Sequence, residues 1–241
     1  IRDVCRCLYR ENAAFRRFDP DAVLGMGSFI SFPVCLLAWL RGKPLVLHEG
    51  NAVIGRANRV LALIAKTLAA SFEPPKKVCS LRCPVSHTGY PVRKAISATV
   101  SDCAPNTRKV VSESLRLRDD RLTVLIFGGS QGAESINRLL MDTAPHLSDL
   151  RDQLQFLHLC GREDTRDIVE SYSAAGLPSV VYPWLENMSH AYAAADLVIC
   201  RAGAGTITEL AAFGKAAVFI PLPGVPQDHQ TANARTLCSK D

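Results

Sequence analysis

Between Leu197 and Gly214 the chain passes from an apolar run, Leu197-Val198-Ile199-Cys200, through the small-residue stretch Arg201-Ala202-Gly203-Ala204-Gly205-Thr206, into the helical pattern Ile207–Gly214. A short apolar run with β-branched members reads as a buried parallel strand. The helix after it ends on a C-cap glycine, Gly214, and a second apolar run, Ala216–Ile220, follows. Strand, crossover helix and parallel strand wind right-handed and need cover on both faces of their sheet. The pattern recurs upstream. A strand Leu122–Phe127 leads into Gly128-Gly129-Ser130-Gln131-Gly132-Ala133 and a helix from Ala133 to about Met141. Strand Gln155–Leu159, helix Asp164–Ala174, strand Ser179–Tyr182 and the short helix Met188–Ala195 come next. This alternation predicts an α/β fold with a parallel sheet, whose ligands bind at the C-terminal ends of its strands.

The first half repeats the alternation. Asp21–Leu24 reads as a strand, Gly25–Phe29 as a loop, and Ser31–Leu40 as an apolar helix carrying Trp39 and broken by Gly42-Lys43-Pro44. Strand Leu45–His48 delivers Glu49-Gly50-Asn51 to its C-terminal end; residues 54–67 then read as helix and Leu68–Ser71 as strand. From Arg93 to Asp120 the chain turns polar, with Asp102, Pro105 and Asn106 as breakers, so a domain junction is expected there. The expected organisation is an N-terminal domain over residues 1–95, a linker over 96–120 and a second domain over 121–241. Residues 2–17 set Arg2, Arg6, Arg10, Arg16 and Arg17 beside Val4, Leu8 and Phe15, the pattern of an amphipathic helix with a basic face.

A net charge of +5 permits an anionic substrate or membrane surface and does not call for nucleic acid. No run of about eighteen apolar residues spans a bilayer. Nine scattered cysteines suit a reducing, cytoplasmic compartment. Cys79, Cys83 and His87 have metal-like spacing but no fourth ligand, so no metal is expected. The Gly128–Ala133 loop lacks the lysine of a Walker motif, and Gly25-Met26-Gly27 lacks the third glycine of a dinucleotide fingerprint.

The chemistry suggested by residues 201–209 is anion binding. The first amides of a helix lack partners within it and carry partial positive charge, Gly203 and Gly205 let a phosphate approach, and Arg201 adds a full charge. Glu209 would repel phosphate but suits the paired hydroxyls of a ribose. A nucleoside diphosphate satisfies both; a tight strand-to-helix turn with no ligand is the alternative.

Three motifs then carry a resemblance. Gly128–Ala133 with Asn137 is similar to the phosphate loop of the MurG family, whose members move N-acetylglucosamine from UDP-GlcNAc to lipid I in peptidoglycan synthesis. Arg201–Thr206 through Glu209 is similar to the family's donor loop and helix, with Ala202 where serine is commoner, and Asp228-His229-Gln230 with Asn233-Ala234 to its sugar-contacting segment. In the first half, Leu24-Gly25-Met26-Gly27 with Ser28-Phe29 resembles the acceptor-side glycine loop. His48-Glu49-Gly50-Asn51-Ala52 resembles His-Glu-Gln-Asn-Ala with glycine for glutamine, and Gly89-Tyr90-Pro91-Val92-Arg93 resembles a Gly-Asn-Pro-Val-Arg hinge.

The resemblance implies a GT-B fold, two Rossmann-like domains facing a cleft, both incomplete here. It implies diphosphate contacts from Ser130, Gln131 and Gly132 and from the Gly203, Ala204, Gly205 and Thr206 segment beside Arg201. Glu209 would hold the ribose, Leu185 the uracil edge, and Gln230 with His229 the sugar hydroxyls; Asn51 and Arg93 would also reach the donor. Inverting transfer needs a base for the acceptor hydroxyl and stabilisation of the leaving diphosphate, with no cofactor. The family's candidate base lies in a Gly-Gly-Thr-Gly-Gly-His loop that this chain lacks, which leaves His48 and Glu49 as base or orienting groups and leads us to expect an internal fragment inactive by itself. A lipid-linked acceptor implies peripheral docking on anionic lipids at the cytoplasmic face of the inner membrane. Rival expectations are a UDP-GlcNAc 2-epimerase, a glycolipid glycosyltransferase or a non-catalytic nucleotide-binding module.

Overall fold

A computed structural model of the chain describes residues 11–73, 81–101, 107–129 and 134–238. They divide into two compact α/β units. One runs to Tyr90 and takes back the segment from Gly224 onward; the other is Pro91–Pro223.

In the first unit four parallel strands lie in sequence order: β1 (Val23–Gly25), β2 (Leu45–Glu49), β3 (Thr67–Ala70) and β4 (Val85–His87). Leu45, Leu47 and Leu68 are buried among Cys35 and Leu61 from the covering helices and Ala62 just past the second of them. Those helices are α2 (Phe32–Leu40) and α3 (Arg56–Leu61), preceded by α1 (residues 11–18). Pro33 sits in the first turn of α2, where a missing N–H leaves no gap in the helix ladder, and Gly42 takes φ +67 just past its end. Helix α3 is shorter than the expected 54–67. The Lys66 amide donates to the Leu45 carbonyl at 2.8 Å, so the chain has already rejoined the sheet. Strand β4 was not anticipated, since two of its three residues are exposed and no apolar run marks it.

In the second unit β5 (Leu122–Phe127), β6 (Leu154–Leu159), β7 (Ser179–Tyr182), β8 (Leu197–Cys200) and β9 (Ala216–Phe219) pair in parallel in the order β7-β6-β5-β8-β9. Alternate residues of β5 face opposite layers. Leu125 and Phe127 pack with Leu157, Val198 and Tyr192, whereas Val124 and Ile126 pack with Phe156, Ile136 and Ile168. The chain builds outward from β5 to β7, then crosses back to lay β8 and β9 on the other side. The switch point is therefore at the C-terminal ends of β5 and β8, where such sheets bind ligands.

The stretch read as a polar linker folds as α4 (Lys94–Ser101) and α5 (Thr107–Ser114). Ile96 and Val111, with Leu115 and Leu117 just after α5, turn inward and join the second unit's core, whereas Val110 stays exposed. Arg108 fixes the segment with two 2.7 Å bonds to Asp196. Across β6, in the opposite layer, buried His158 touches α6 (Glu134–Thr143) and α7 (Arg166–Ala174). The Asn137 amide group donates to the Cys160 carbonyl at 3.1 Å, so its oxygen faces His158 Nε2 at 3.1 Å. That makes Nε2 the protonated nitrogen, with Nδ1 accepting from the Tyr172 hydroxyl at 3.1 Å.

Candidate functional site

The second unit places a cavity of about 340 Å³ at the C-terminal ends of β5, β6 and β7, against the start of α9 (Ala204–Ala212). That volume suits a nucleoside. Its apolar walls are Phe127, Leu159, Pro183, Trp184, Leu185 and Met188; its polar lining includes Arg93, Tyr192, Thr206 and Glu209. Helix α8 (Met188–Ala194), whose N-cap Asn187 accepts from the Ser189 amide, delivers Met188 and Tyr192.

Helix α9 starts at N-cap Gly203 with no side-chain cap, so the amides of Ala204, Gly205 and Thr206 have no partner inside the helix. Helix dipole and amides favour an anion there. Arg201 lies beneath, 8% exposed. Its guanidinium donates to the Ile220 and Pro221 carbonyls at 3.0 and 3.1 Å and to Ser135 Oγ at 2.5 Å. It has no carboxylate partner among the described residues, and burial pulls its pKa down. Arg201 thus ties the β8–α9 loop to the first turn of α6, the helix that follows the glycine loop. Gly129 of that loop takes φ +94, a conformation that favours glycine. Ser130, Gln131 and Gly132 lie outside the described residues, as does Cys79.

Glu209, with its side chain 12% exposed, is held on both oxygens. Arg93 Nε donates to Oε1 at 2.9 Å and the Tyr192 hydroxyl to Oε2 at 2.9 Å. The carboxylate raises the Arg93 pKa. Arg93, Leu185, Thr206 and Glu209, all singled out from sequence, therefore line one cavity.

The remaining predicted residues sit in the first unit. His48 Nε2 lies 3.0 Å from Ser71 Oγ, and its ring meets Tyr90 edge-on at 5.7 Å. Glu49 is 5% exposed and accepts four bonds: Asn51 N at 3.1 Å, Asn51 Nδ2 at 3.4 Å, Gly55 N at 2.8 Å and Asn58 Nδ2 at 2.9 Å. Asn51 Oδ1 accepts from Asn233 Nδ2 at 3.1 Å, and Asn233 Oδ1 accepts from the Ala52 amide at 2.8 Å. Those bonds explain why α10 (His229–Cys238), opening on His229 and Gln230, groups with the first unit although the sequence reading placed it in the second domain. Gln227 and Asp228 enter it in the left-handed region, φ +61 and +47. Gly50 is pressed by Tyr90: a Cβ there would stand 3.1 Å from the ring.

Sequence reasoning missed Tyr192 and Asn58 as site-organising groups, and it marked Asn233 only as part of the sugar-contacting motif. Tyr192 carried no local signal, because its partner Glu209 lies 17 residues away on another helix.

Residues 4–70 match the N-terminal domain of glycosyltransferase family 28 and residues 123–241 its C-terminal domain. The Syntrophotalea carbinolica protein named UDP-N-acetylglucosamine–N-acetylmuramyl-(pentapeptide) pyrophosphoryl-undecaprenol N-acetylglucosamine transferase is 38% identical over 98% of this chain and 62% of its own length. The protein of that name from Geotalea daltonii is 40% identical over 94% of this chain and 59% of its own. Among solved structures, Acinetobacter baumannii MurG superposes with a TM-score of 0.73 at 34% identity, covering 98% of this chain and 62% of that one. The UDP-GlcNAc 2-epimerase of Neisseria meningitidis shares the fold at 15% identity, with a TM-score of 0.61 over 90% of this chain and 63% of that one. The chain thus spans about three fifths of the length of the relatives it matches. With both family domains present in order and relatives of one name along nearly all of it, the chain belongs to the MurG family of glycosyltransferase family 28, with the two parallel-sheet domains of the GT-B fold.

Proposed function

We propose that this chain is part of an inverting glycosyltransferase that moves N-acetylglucosamine from UDP-GlcNAc to lipid I, giving lipid II for peptidoglycan. The observation that carries this reading is the convergence of Arg93, Leu185, Thr206 and Glu209 on one nucleoside-sized cavity beside the uncapped start of α9. Uracil enters between Leu185 and the apolar walls, and the ribose hydroxyls donate to Glu209. The diphosphate meets the amides of Ala204, Gly205 and Thr206 together with those of Ser130, Gln131 and Gly132. Preorganised amides and a buried cation stabilise the charge that builds on the leaving diphosphate.

Arg93 is half free already, its side chain 59% exposed, and passes from Glu209 to the diphosphate as the ribose arrives. Arg201 stays in place as a frame. Gln230 and His229 read the sugar, with Asn51. Glu49 orients rather than deprotonates, because four donors already hold its carboxylate. His48 serves the acceptor step. The exposed apolar side chains Met26, Phe29, Ile30 and Trp39 of the first unit, with Arg16 and Arg17, dock the protein on anionic lipid at the cytoplasmic face. No described helix is long and apolar enough to cross a membrane.

Calorimetric titration tests the donor reading. UDP and UDP-GlcNAc should saturate the chain with dissociation constants in the micromolar to millimolar range, and Glu209→Ala should weaken both by about tenfold or more. Failure to bind UDP at millimolar concentration, or conversion of UDP-GlcNAc to its 2-epimer without acceptor, would overturn it.

A further inference from the structure

Glu209 has two oxygens and two anchors of very different character. Arg93 holds Oε1 from a mostly exposed side chain. Tyr192 holds Oε2 from a side chain that is 1% exposed, at 2.9 Å. The phenol ring is itself fixed. It leans on Phe127, at the end of β5, with centroids 6.0 Å apart, and on Phe213, just past α9, at 5.5 Å. Tyr192 is thus wedged between the strand that begins the glycine loop and the helix that carries the carboxylate. Burial, and then the nearby Glu209 charge, push the phenol pKa up, so the hydroxyl keeps its proton and donates.

A carboxylate turns about its last carbon–carbon bond, and one fixed donor on one oxygen stops that turn. A carboxylate has about four acceptor positions; with Tyr192 on one and Arg93 released to the diphosphate, three are open, and a vicinal diol needs two. We propose that Tyr192 is a positioning residue: it sets the plane of the Glu209 carboxylate so that both hydroxyls of a ribose 2′,3′-diol are accepted at once. The proposal rests on the reading of Glu209 as the ribose ligand. It assigns Tyr192 a role that neither the motifs nor the cavity's charge reveals.

The test compares UDP with 2′,3′-dideoxy-UDP on the whole chain, as wild type and as Tyr192→Phe. The variant keeps the ring, and so the packing against Phe127 and Phe213, and should unfold at nearly the wild-type denaturant midpoint. Wild type should prefer UDP by about a hundredfold, since hydroxyls donating to a charged acceptor are strongly selected. In Tyr192→Phe that preference should shrink to about tenfold, while affinity for dideoxy-UDP stays within about twofold. A variant that retains the full preference overturns the role of Tyr192 and leaves the ribose reading standing. Equal weakening of both nucleotides also overturns it, since that is the mark of a merely structural residue. A wild type with no preference between them removes the ribose reading and the proposal with it.

Discussion

His158 offers a prediction whose size follows from the structure. Its imidazole is fully buried between Asn137 and Tyr172, and burial, with a smaller push from the Arg162 charge, lowers its pKa from 6.5 to about 4. In the unfolded chain the ring takes its proton near pH 6.5; in the folded unit it does so only near 4. Between those values the unfolded chain binds more protons, so stability falls as pH falls through the window. The whole loss, complete below about pH 4, is about 3 kcal/mol. His158→Gln removes the titration. It should be less stable than wild type at pH 7 by about 1–3 kcal/mol through lost hydrogen bonds, yet decline less on acidification. Native-state hydrogen exchange of the β5 and β6 amides at pH 7, 6, 5 and 4, corrected for intrinsic rates, reads the second unit by itself, which suits a chain of two compact units. If wild type and variant lose protection in parallel across that range, the assignment of His158 as the acid-sensitive group is wrong.

The close contact between Gly50 and Tyr90 predicts a coupled pair. Gly50→Gln alone should lower stability by about 1–3 kcal/mol because its Cβ starts 3.1 Å from the tyrosine ring, and Tyr90→Asn alone should lower it by removing that ring. The double variant should recover about 1 kcal/mol or more relative to the sum in urea unfolding; simple additivity would refute the coupling. On the first unit's surface, replacing Phe29, Ile30 and Trp39 with serine should reduce flotation with anionic vesicles several-fold, and unchanged flotation would remove the docking surface.

Much of the architecture was legible because parallel strands buried on both faces leave nearly continuous apolar runs such as Leu122–Phe127, interrupted only by Thr123, and Leu197–Cys200. Placing Arg93, Leu185, Thr206 and Glu209 in one site took more than periodicity; it took the family resemblance, and the cavity then gathered all four. What escaped was whatever depends on a distant partner. Helices α4 and α5 looked like linker because only Ile96 and Val111 within them, with Leu115 and Leu117 following, turn inward from a polar surround. Nor does anything local to Asn233 announce the bonds to Asn51 and Ala52 that tie helix α10 to the first compact unit.

Glu49 and Glu209 make the point most sharply. Glu49 ends strand β2 and Glu209 lies within helix α9, each beside a loop of small residues, and residue type alone grants either the role of base, ligand or brace. Their donors separate them. Glu49 accepts from three residues within nine positions of itself, is 5% exposed, and has its four acceptor sites taken, so it fixes the 50–58 loop and has little capacity left for a substrate proton. Among the described residues Glu209 accepts from two side chains, one of them exposed and displaceable, and it lines an open cavity. The carboxylate with acceptor positions to spare is the one able to select a ligand, and the difference lies in which groups the fold brings to each oxygen.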